Sequence, residues 1–277
     1  MIKILDVDKL FDKYIEGYVY ENIGKVKPEE IENEIPNLYL SFGDEKLKEL
    51  DGKTPNTYYR EFSALELLTC LKTHIEKGVS VSDFLCEAIT SKTTETSAII
   101  KELDASEDEE YIAYLMNFIN EMGIDAPVYK YLEFALYDYS DNLGELATEF
   151  LCSKANSVKE SVLEAISSAE GRKKERLVEI LSHAEKDDRI FDILIAEFCK
   201  HTDNLPLYCS FLIKYGDDRA LPFLIKVIED EKINYADFEE LRFAIEALGG
   251  EYAKERDFSK DRFYKKIKGE RNKNLLS

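Results

Sequence analysis

Residues 216–231 read GDDRALPFLIKVIEDE, and the opening of this stretch recurs thirty residues upstream. The earlier copy, DDRIFDILIAEF at 187–198, has the same Asp-Asp-Arg start and the same spacing of apolar residues. Self-similarity at a fixed period of about 20–50 residues is typical of repeat architectures. The recurrence therefore predicts a repeated structural unit of about 30 residues.

Each predicted unit consists of two helices. Second helices are expected to begin near residues 126, 156, 187 and 217, and stretches with helical apolar spacing, such as RKKERLVEILSHA, lie between them. A pair of antiparallel helices cannot bury its apolar face alone and must stack on its neighbours. We therefore expect an all-α protein, an α-solenoid (α-α superhelix) of about five stacked antiparallel helix pairs.

A family resemblance rests on the same residues. LPLYCSFLIKYGDDRALPFLIKVIEDE, followed by LRFAIEALGG, resembles the short HEAT-like repeat, in which one helix ends in Gly-Asp and the next opens with Arg-Ala-x-Pro. The resemblance is good from about residue 172 to 250, and it implies HEAT-like helical repeats over residues 63–253. Residues 1–62 do not follow the repeat and are expected to form an N-terminal helical cap, and residues 254–277 a basic C-terminal helix or tail.

Three Ser-x-x-Glu sequences have the form of a capping box, in which the Ser hydroxyl and the Glu carboxylate satisfy free N–H groups of a first helical turn. They begin at Ser63, Ser106 and Ser157, and each precedes an amphipathic stretch. Pro28 suits the first turn of another helix, where a missing N–H costs nothing. No stretch predicts a convincing strand, and YLSF near residue 40 is the nearest candidate.

The chain is strongly acidic, with a formal net charge of −20. Residues 254–273 reverse the sign, with nine Lys or Arg against four Asp or Glu, so the remainder carries −25. An acidic body repels a phosphate backbone and attracts a basic protein surface. The charge therefore makes nucleic acid an improbable partner and favours a basic protein.

The basic tail, FSKDRFYKKIKGERNKN, has three interpretations. It could form an amphipathic helix with Phe258, Phe263, Tyr264 and Ile267 packed on the last repeat, it could be a solvated end, or it could neutralise the acidic body. The sequence leaves these three open.

Cysteine usage and hydropathy bear on location. No apolar run approaches the ~18 residues that a membrane span needs, and the first residues lack the apolar core of a signal peptide. The five cysteines are an odd number at wide spacing among apolar helical residues. Reduced, mostly buried thiols are the favoured interpretation. We expect a cytoplasmic protein without membrane contact, and the oligomeric state stays open.

Gly52-Lys53-Thr54 invites comparison with a phosphate-binding loop. That motif requires a glycine five residues before its second glycine, and Leu47 stands there. A turn at Asp51-Gly52, with Thr54 as N-cap and Pro55 as the first helical residue, explains the stretch without a ligand.

Metal binding and catalysis find little support. Cys199, His201 and Cys209 lack the paired spacing of structural zinc ligands, and His183 is a distant fourth candidate. The three histidines show no relation to a Ser or Cys nucleophile that a triad would need. We expect no catalytic residue, no metal and no cofactor.

The Asp-Asp-Arg motifs admit two interpretations. Repeated Asp and Arg side chains could form a polar ladder that grips a partner, with Asp188, Arg189, Asp218 and Arg219 as binding residues. In the favoured, structural interpretation, Asp217 or Asp218 accepts N–H bonds at a helix start and Arg219 pairs with an Asp of the adjacent repeat.

Tyrosine is concentrated in the middle of the chain, in YKYLEFALYDY at 129–139 together with Tyr58, Tyr59, Tyr111 and Tyr114. Tyrosine supplies large, rigid contact area at interfaces. Tyr131 has the spacing of a buried residue, whereas Tyr129, Glu133 and Tyr137 share the other helical face. These three are candidate binding residues on a concave surface.

The sequence thus predicts a non-enzymatic protein-interaction scaffold whose acidic, tyrosine-bearing concave surface binds a basic protein. An immunity- or antitoxin-type inhibitor of a basic toxin is a more specific alternative. From another class, DNA repair enzymes of the glycosylase type built on HEAT-like repeats, or another nucleic-acid binder, are a third possibility. The net charge of −20 and the lack of Trp argue against that one.

Overall fold

The computed structural model describes residues 2–23, 28–124, 127–136 and 140–274. Within these ranges the protein is all-α, with sixteen α-helices, four short 3₁₀ helices and no β-strand. The expected all-α class is therefore confirmed. Among the helices of these ranges, none combines the length and apolar character needed to cross a bilayer.

The chain divides by its internal contacts into two compact units. The first comprises Met1–Lys130 and Tyr139–Leu146, and the second comprises Tyr131–Asp138 and Ala147–Ser277. The division into a cap, repeats and a tail, with boundaries after residues 62 and 253, stays a prediction.

Seven helices lie within the first unit: α1 (Val7–Asn22), α2 (Pro28–Gly43), α3 (Pro55–Tyr58), α4 (Ala64–Lys77), α5 (Asp83–Thr90), α6 (Thr96–Ala105) and α7 (Glu109–Glu121). Helix α4 packs against α5, α6 and α7. Its apolar residues at Leu67, Leu68 and Leu71 recur at three- and four-residue spacing and are fully buried. The same core contains Leu85, Ile89, Ile99, Leu103, Leu115, Met116 and Ile119.

The strand candidate YLSF is helical, because it lies inside α2. Leu38 and Phe42, one helical turn apart, are both buried, whereas Leu40 is 70% exposed. In a strand these three residues would share one face. The apolar period is therefore that of a helix, and the expectation that this stretch is no convincing strand is confirmed.

Of the three predicted capping boxes, the one at Ser63 is confirmed. Its hydroxyl accepts from the Glu66 N–H, and the Glu66 carboxylate accepts from the Ser63 N–H at 3.0 Å. The box at Ser106 is wrong, because Asp108 caps α7 by accepting from the Tyr111 N–H at 2.8 Å. The box at Ser157 is also wrong, because helix α10 begins two residues earlier.

Two helices, α8 (Val128–Leu136) and α9 (Asp141–Ser153), contain the boundary between the units. Seven more lie within the second unit: α10 (Ala155–Ala165), α11 (Gly171–Ser182), α12 (Asp188–Lys200), α13 (Leu205–Tyr215), α14 (Leu221–Ile228), α15 (Tyr235–Ala247) and α16 (Arg262–Asn274). The second helices predicted near 156, 187 and 217 correspond to α10, to α12 and to the 3₁₀ turn Asp218–Ala220 that leads into α14.

Most helices of the second unit contact the helix before or after them, and α11–α13 and α13–α15 also contact each other across the helix between. Helix α13 packs against α11, α12 and α15, and α14 packs against α15. Between α13 and α14 the chain turns at Gly216, whose φ of 69° lies in the left-handed region that suits glycine. The two Asp-Asp-Arg motifs therefore stand at equivalent turns, before α12 and before α14.

The C-terminal segment packs on α15 through aromatic rings. Phe258 lies 5.0 Å from Phe238 and Tyr264 lies 4.9 Å from Tyr235, measured between ring centroids. Arg256 donates hydrogen bonds of 2.7 Å to carbonyl oxygens at and just beyond the end of α14. Phe258 and Tyr264 therefore pack as the amphipathic-helix interpretation expects, whereas Phe263 is 50% exposed.

We expect Ser63→Ala to lower the free energy of unfolding by about 1 kcal/mol, because it leaves the first turn of α4 without its side-chain acceptor. Ser157→Ala is the matched control, since Ser157 lies inside α10 and its replacement should change stability by less than about 0.5 kcal/mol. Urea unfolding of both variants measures the difference. Equal losses would contradict the assignment of the two helix starts.

Candidate interaction surface

The first Asp of each Asp-Asp-Arg motif caps the helical turn that follows it. The Asp187 carboxylate accepts from the Arg189 N–H at 3.0 Å, and the buried Asp217 carboxylate accepts from the Arg219 N–H at 3.1 Å. Each carboxylate also bonds the guanidinium of its own arginine. The predicted cap is therefore confirmed, with Asp217 rather than Asp218 in that role.

The two arginines also bond to carboxylates 29 and 31 positions earlier in the chain. Arg189 donates to both Glu160 carboxylate oxygens, at 2.9 and 2.8 Å. Arg219 donates to Asp188 at 2.8 Å, and its guanidinium lies 4.2 Å from the centroid of the Phe191 ring. The predicted pairing of Arg219 with an Asp of the preceding motif is confirmed, whereas a partner-binding role for these residues stays a prediction.

Further polar contacts join the same turns. The Tyr215 hydroxyl accepts from the Asp187 N–H at 2.7 Å and lies 3.0 Å from its carbonyl oxygen. The Lys186 ammonium donates to the Gly216 carbonyl, and the Glu185 N–H donates to the Asn156 side chain at 2.6 Å. All of these bonds span 28 to 30 residues, so polar groups join segments of the second unit that lie about 30 positions apart.

Most of the tyrosines that stand out in the sequence are core residues. Tyr58, Tyr59, Tyr111 and Tyr131 are all buried. Tyr114 and Tyr129 are not buried: Tyr114 is half-buried on α7 and lines a cleft, and Tyr129 is exposed.

The three predicted binding residues of the tyrosine-rich stretch have different surroundings. Tyr129 is 62% exposed, and its hydroxyl donates to Asp104 at 2.9 Å. Glu133 is half-buried on the same helix, α8. Tyr137 lies outside the described residues, so a shared surface of all three stays a prediction.

Tyr114 belongs to an acidic surface of the first unit, which four helices build. Helix α1 supplies Asp8 and α2 supplies Tyr39. The other members lie on α5, within residues 83–87, and on α7, within residues 110–121. We define the acidic surface as Asp8, Tyr39, Asp83, Cys86, Glu87, Glu110, Tyr114 and Glu121.

Contacts and electrostatics connect the members of the acidic surface. The Tyr39 hydroxyl donates to Asp83 at 3.4 Å, and burial followed by the charges of Asp83 and Asp8 raises the Tyr39 pKa. Burial also raises the pKa of Tyr114, with Cys86 and Glu110 contributing next. Both phenols therefore stay protonated at neutral pH and can act as hydrogen-bond donors.

Cys86 lies among the carboxylates of the acidic surface. Burial raises the pKa of its thiol to about 12, and the charges of Asp83, Glu121 and Asp8 add to that effect. A thiol with so high a pKa is a poor nucleophile, because the thiolate is the reactive form. The raised pKa of Cys86 thus has burial as its first cause and the surrounding carboxylates as its second.

The acidic surface continues into a cleft of about 590 Å³ beside α7. Asp108, Glu109 and Glu110 lie at the start of the helix, and Tyr114 and Asn117 lie one and two turns further along. Carboxylates at a helix N-terminus are favoured by the helix dipole, so their density here has a local structural cause. These carboxylates make the cleft a concave, negatively charged groove, and the Tyr114 side chain lines it.

Sequence reasoning identified Tyr114 and the acidic character but not this surface. Asp8, Tyr39, Asp83 and Tyr114 are separated by 31 to 44 positions in the sequence, and packing brings them together. The weak signal was the Glu109-Glu110 pair directly before the tyrosines of α7.

The other candidate chemistries find no support in the described residues. The Gly52-Lys53-Thr54 stretch is a turn closed by a bridge between Leu47 and Lys53, and Lys53 forms an ion pair with Glu61. Thr54 and Thr57 form a capping box at the start of α3, as expected for Thr54. No group of three or more His, Cys, Asp or Glu in the described part of the chain is placed to hold a metal ion.

The chain matches no protein-family model, no curated protein and no solved structure. Its function is therefore argued from its own residues.

We expect Arg219→Met and Asp188→Asn to be coupled in a double-mutant cycle of unfolding free energies, because their side chains bond directly. Asp218→Asn is the matched control, since Asp218 precedes Arg219 in the chain but is not one of its hydrogen-bond partners. Its cycle with Arg219→Met should show no coupling. Equal coupling in both cycles would contradict a direct pair between Arg219 and Asp188.

The bond between Arg219 and Asp217 makes the stability of the protein depend on pH. The hydrogen bond from Arg219 lowers the Asp217 pKa despite the opposing effect of burial. The Arg219–Asp217 pair therefore contributes its full stabilisation above pH values near the ordinary Asp pKa of about 3.9. That stabilisation is lost as the pH falls through the lower pKa that Asp217 has in the folded protein. In Arg219→Met, unfolding free energy should fall less steeply with acid between about pH 5 and 2.

Cys86 offers a test of the field at the acidic surface. We expect the double variant Asp83→Asn, Glu121→Gln to speed alkylation of Cys86 by iodoacetamide, because removing the two charges lowers the thiol pKa. Mass spectrometry of the labelled peptide measures the rate. The control Glu32→Gln, Glu45→Gln removes two exposed acids elsewhere in the same unit and should leave the rate unchanged. If neither variant changed the alkylation rate, burial alone would set the pKa of the Cys86 thiol.

Proposed function

We propose that the protein is a non-enzymatic interaction scaffold that binds a basic protein through the acidic surface of its first unit. The observation that carries the proposal is the uneven distribution of charge. The first unit has 14 Lys or Arg against 29 Asp or Glu, a net −15, whereas the second has 23 against 28, a net −5. Three quarters of the net charge thus belongs to the unit that bears the surface.

The composition of the acidic surface suits recognition of basic side chains. Its carboxylates at Asp83, Glu87, Glu110 and Glu121 are exposed, so they can meet Lys or Arg without a large desolvation cost. Tyr39 and Tyr114 add rigid aromatic area, which is enriched at protein interfaces. A field of one sign also speeds encounter with an oppositely charged partner, an effect that salt weakens.

We further propose that the helix pairs form a HEAT-like α-solenoid of about five pairs with the N-terminal residues as a cap. Support comes from the order of contacts among α11, α13 and α15 and from the polar contacts that span about one repeat. Such an arrangement would present extended surfaces to a partner. A cytoplasmic location fits the five cysteines, all of which are free thiols.

Inhibition of a basic toxin or nuclease is the most specific form of the proposal, and charge alone supports it. The alternative from another class, a DNA repair enzyme or nucleic-acid binder, needs a basic face for the phosphate backbone. The cleft beside α7 is lined instead by carboxylates, a tyrosine and asparagines. Its chemistry favours a cationic partner.

Affinity capture from native lysate at low and high salt tests the proposal. We expect the immobilised protein to retain a basic protein at low salt, and the variant Asp83→Asn, Glu110→Gln, Glu121→Gln to lose most of it, because three charges of the acidic surface are gone. With the purified partner, the association rate should fall as salt rises.

The control variant Glu32→Gln, Glu45→Gln, Glu49→Gln removes three exposed acids of the same unit that lie outside the acidic surface. It has the same net charge as the surface variant and should retain the partner. Recovery of no basic protein at either salt, or equal loss in both variants, would overturn the proposal.

A further inference from the structure

Helix α2 carries an apolar stripe that is longer than the part of the protein that covers it. The stripe consists of Phe42, Leu38, Ile35 and Ile31, whose three- and four-residue spacing places them on one face of the helix. Phe42 is 1% exposed, Leu38 is 7% exposed and Ile35 is 38% exposed, and Ile31 is half-buried. The stripe is therefore buried at the C-terminal end of α2 and open towards its N-terminal end.

Helix α1, which packs against α2, shows the same gradient in the opposite sense. Val7 is 1% exposed, whereas Tyr18, on the same face about three turns further along, is half-buried. Only residues 24–27 separate the two helices, so the open ends of both stripes lie at the same end of the pair. We define the open face as Tyr18, Ile31 and Ile35.

Negative charge borders the open face. Residues 14–37 contain six Glu and two Lys, a net charge of −4. Glu32 and Glu34 are exposed and lie on opposite sides of the α2 stripe. Two copies of the open face would repel each other, whereas a helix with an apolar residue between basic ones is complementary to it.

Helix α16 of the same chain has that complementary composition. Arg262, Phe263 and Lys266 share one face of α16 and are all exposed, Phe263 by 50%. The Tyr264 ring packs on Tyr235 of α15, with 4.9 Å between centroids, and so fixes another face of α16 to the second unit. The segment 254–273 has nine Lys or Arg against four Asp or Glu, a net charge of +5.

We propose that the open face of one copy of the protein binds α16 of a second copy. Phe263 packs on the apolar residues of the open face, and Arg262 and Lys266 pair with the glutamates that border it. The groove between two packed helices accepts a third helix in the usual manner of ridges in grooves. Neither surface includes a residue of the acidic surface, so this contact is separate from the proposed function.

The geometry determines the kind of assembly. The open face and α16 are different surfaces of one chain, so the contact is heterologous and each copy offers both halves of it. Exposed ion pairs contribute little individually, and salt screens them. Self-association should therefore be weak, should need high protein concentration and should be strongest at low salt.

Sedimentation velocity of the full chain over a range of concentrations tests the contact. We expect the sedimentation coefficient to rise with concentration at low salt and to rise less at high salt. The charge-reversed variants Glu32→Lys, Glu34→Lys and Arg262→Glu, Lys266→Glu should each stay monomeric, because each pairs like charges across the contact.

Mixing the two charge-reversed variants gives the sharper result. The first variant keeps the wild-type α16 and the second keeps the wild-type open face, so the mixture has one intact contact. We expect it to form 1:1 dimers and no larger species, although neither variant associates alone. Restored binding would also show that both variants are folded.

Matched controls change the same charges elsewhere. Glu45→Lys, Glu49→Lys reverses two exposed acids of the first unit, and Lys200→Glu, Lys232→Glu reverses two exposed bases of the second. Both variants should associate as the wild type does, because the open face and the exposed face of α16 are intact.

The apolar half of the contact has its own test. Phe263→Ser should weaken self-association about tenfold, because an aromatic side chain at the centre of an interface contributes much of its affinity. Tyr20→Ser is the matched control, since Tyr20 is 78% exposed and lies on the side of α1 away from the open face. It should leave the association unchanged.

Three results would overturn the proposal. The first is a wild-type protein that stays monomeric at every concentration at low salt, and the second is association that survives both charge reversals. The third is a mixture of the two variants that stays monomeric, as expected if α16 bound only within its own chain. None of these would affect the proposed function, which depends on the acidic surface.

Discussion

The guanidinium of Arg219 bonds at the same time to the carboxylate that caps its own helical turn and to a carboxylate 31 positions earlier. One side chain thus caps a helix start and ties it to Asp188, the first residue of α12. Arg189 does the same with Asp187 and Glu160. Because each arginine bonds two carboxylates at once, it restrains the start of one helical segment relative to an earlier helix of the same unit.

The two units differ in how their acidic residues are used. In the second unit, carboxylates at Glu160, Asp187, Asp188 and Asp217 bond to arginines, and Glu197 to a lysine. In the first unit, acids outnumber bases two to one, and several of them gather around Tyr39 and Tyr114. Acidic residues therefore fix internal spacing in one unit and create an external field in the other.

The sequence predicted the features that depend only on residues close to one another in the chain. The helices, the Ser63 capping box and the Asp217 cap follow from periodicity and from the chemistry of a single turn. The boxes at Ser106 and Ser157 failed because Asp108 is a competing cap in the first case and an earlier helix start overrides the second. The acidic surface could not be predicted, since its residues are distant in sequence and the burial of most tyrosines depends on packing.

The C-terminal segment has a consequence for assembly. The rings of Phe258 and Tyr252 lie against the buried Phe238 of α15. The Arg256 guanidinium donates a hydrogen bond to a carbonyl oxygen at the end of α14. Exposed apolar patches favour association between protein molecules. Because the C-terminal segment covers this face of α15, Phe238 is withdrawn from such contacts, and a chain cut before Tyr252 would expose it to other molecules.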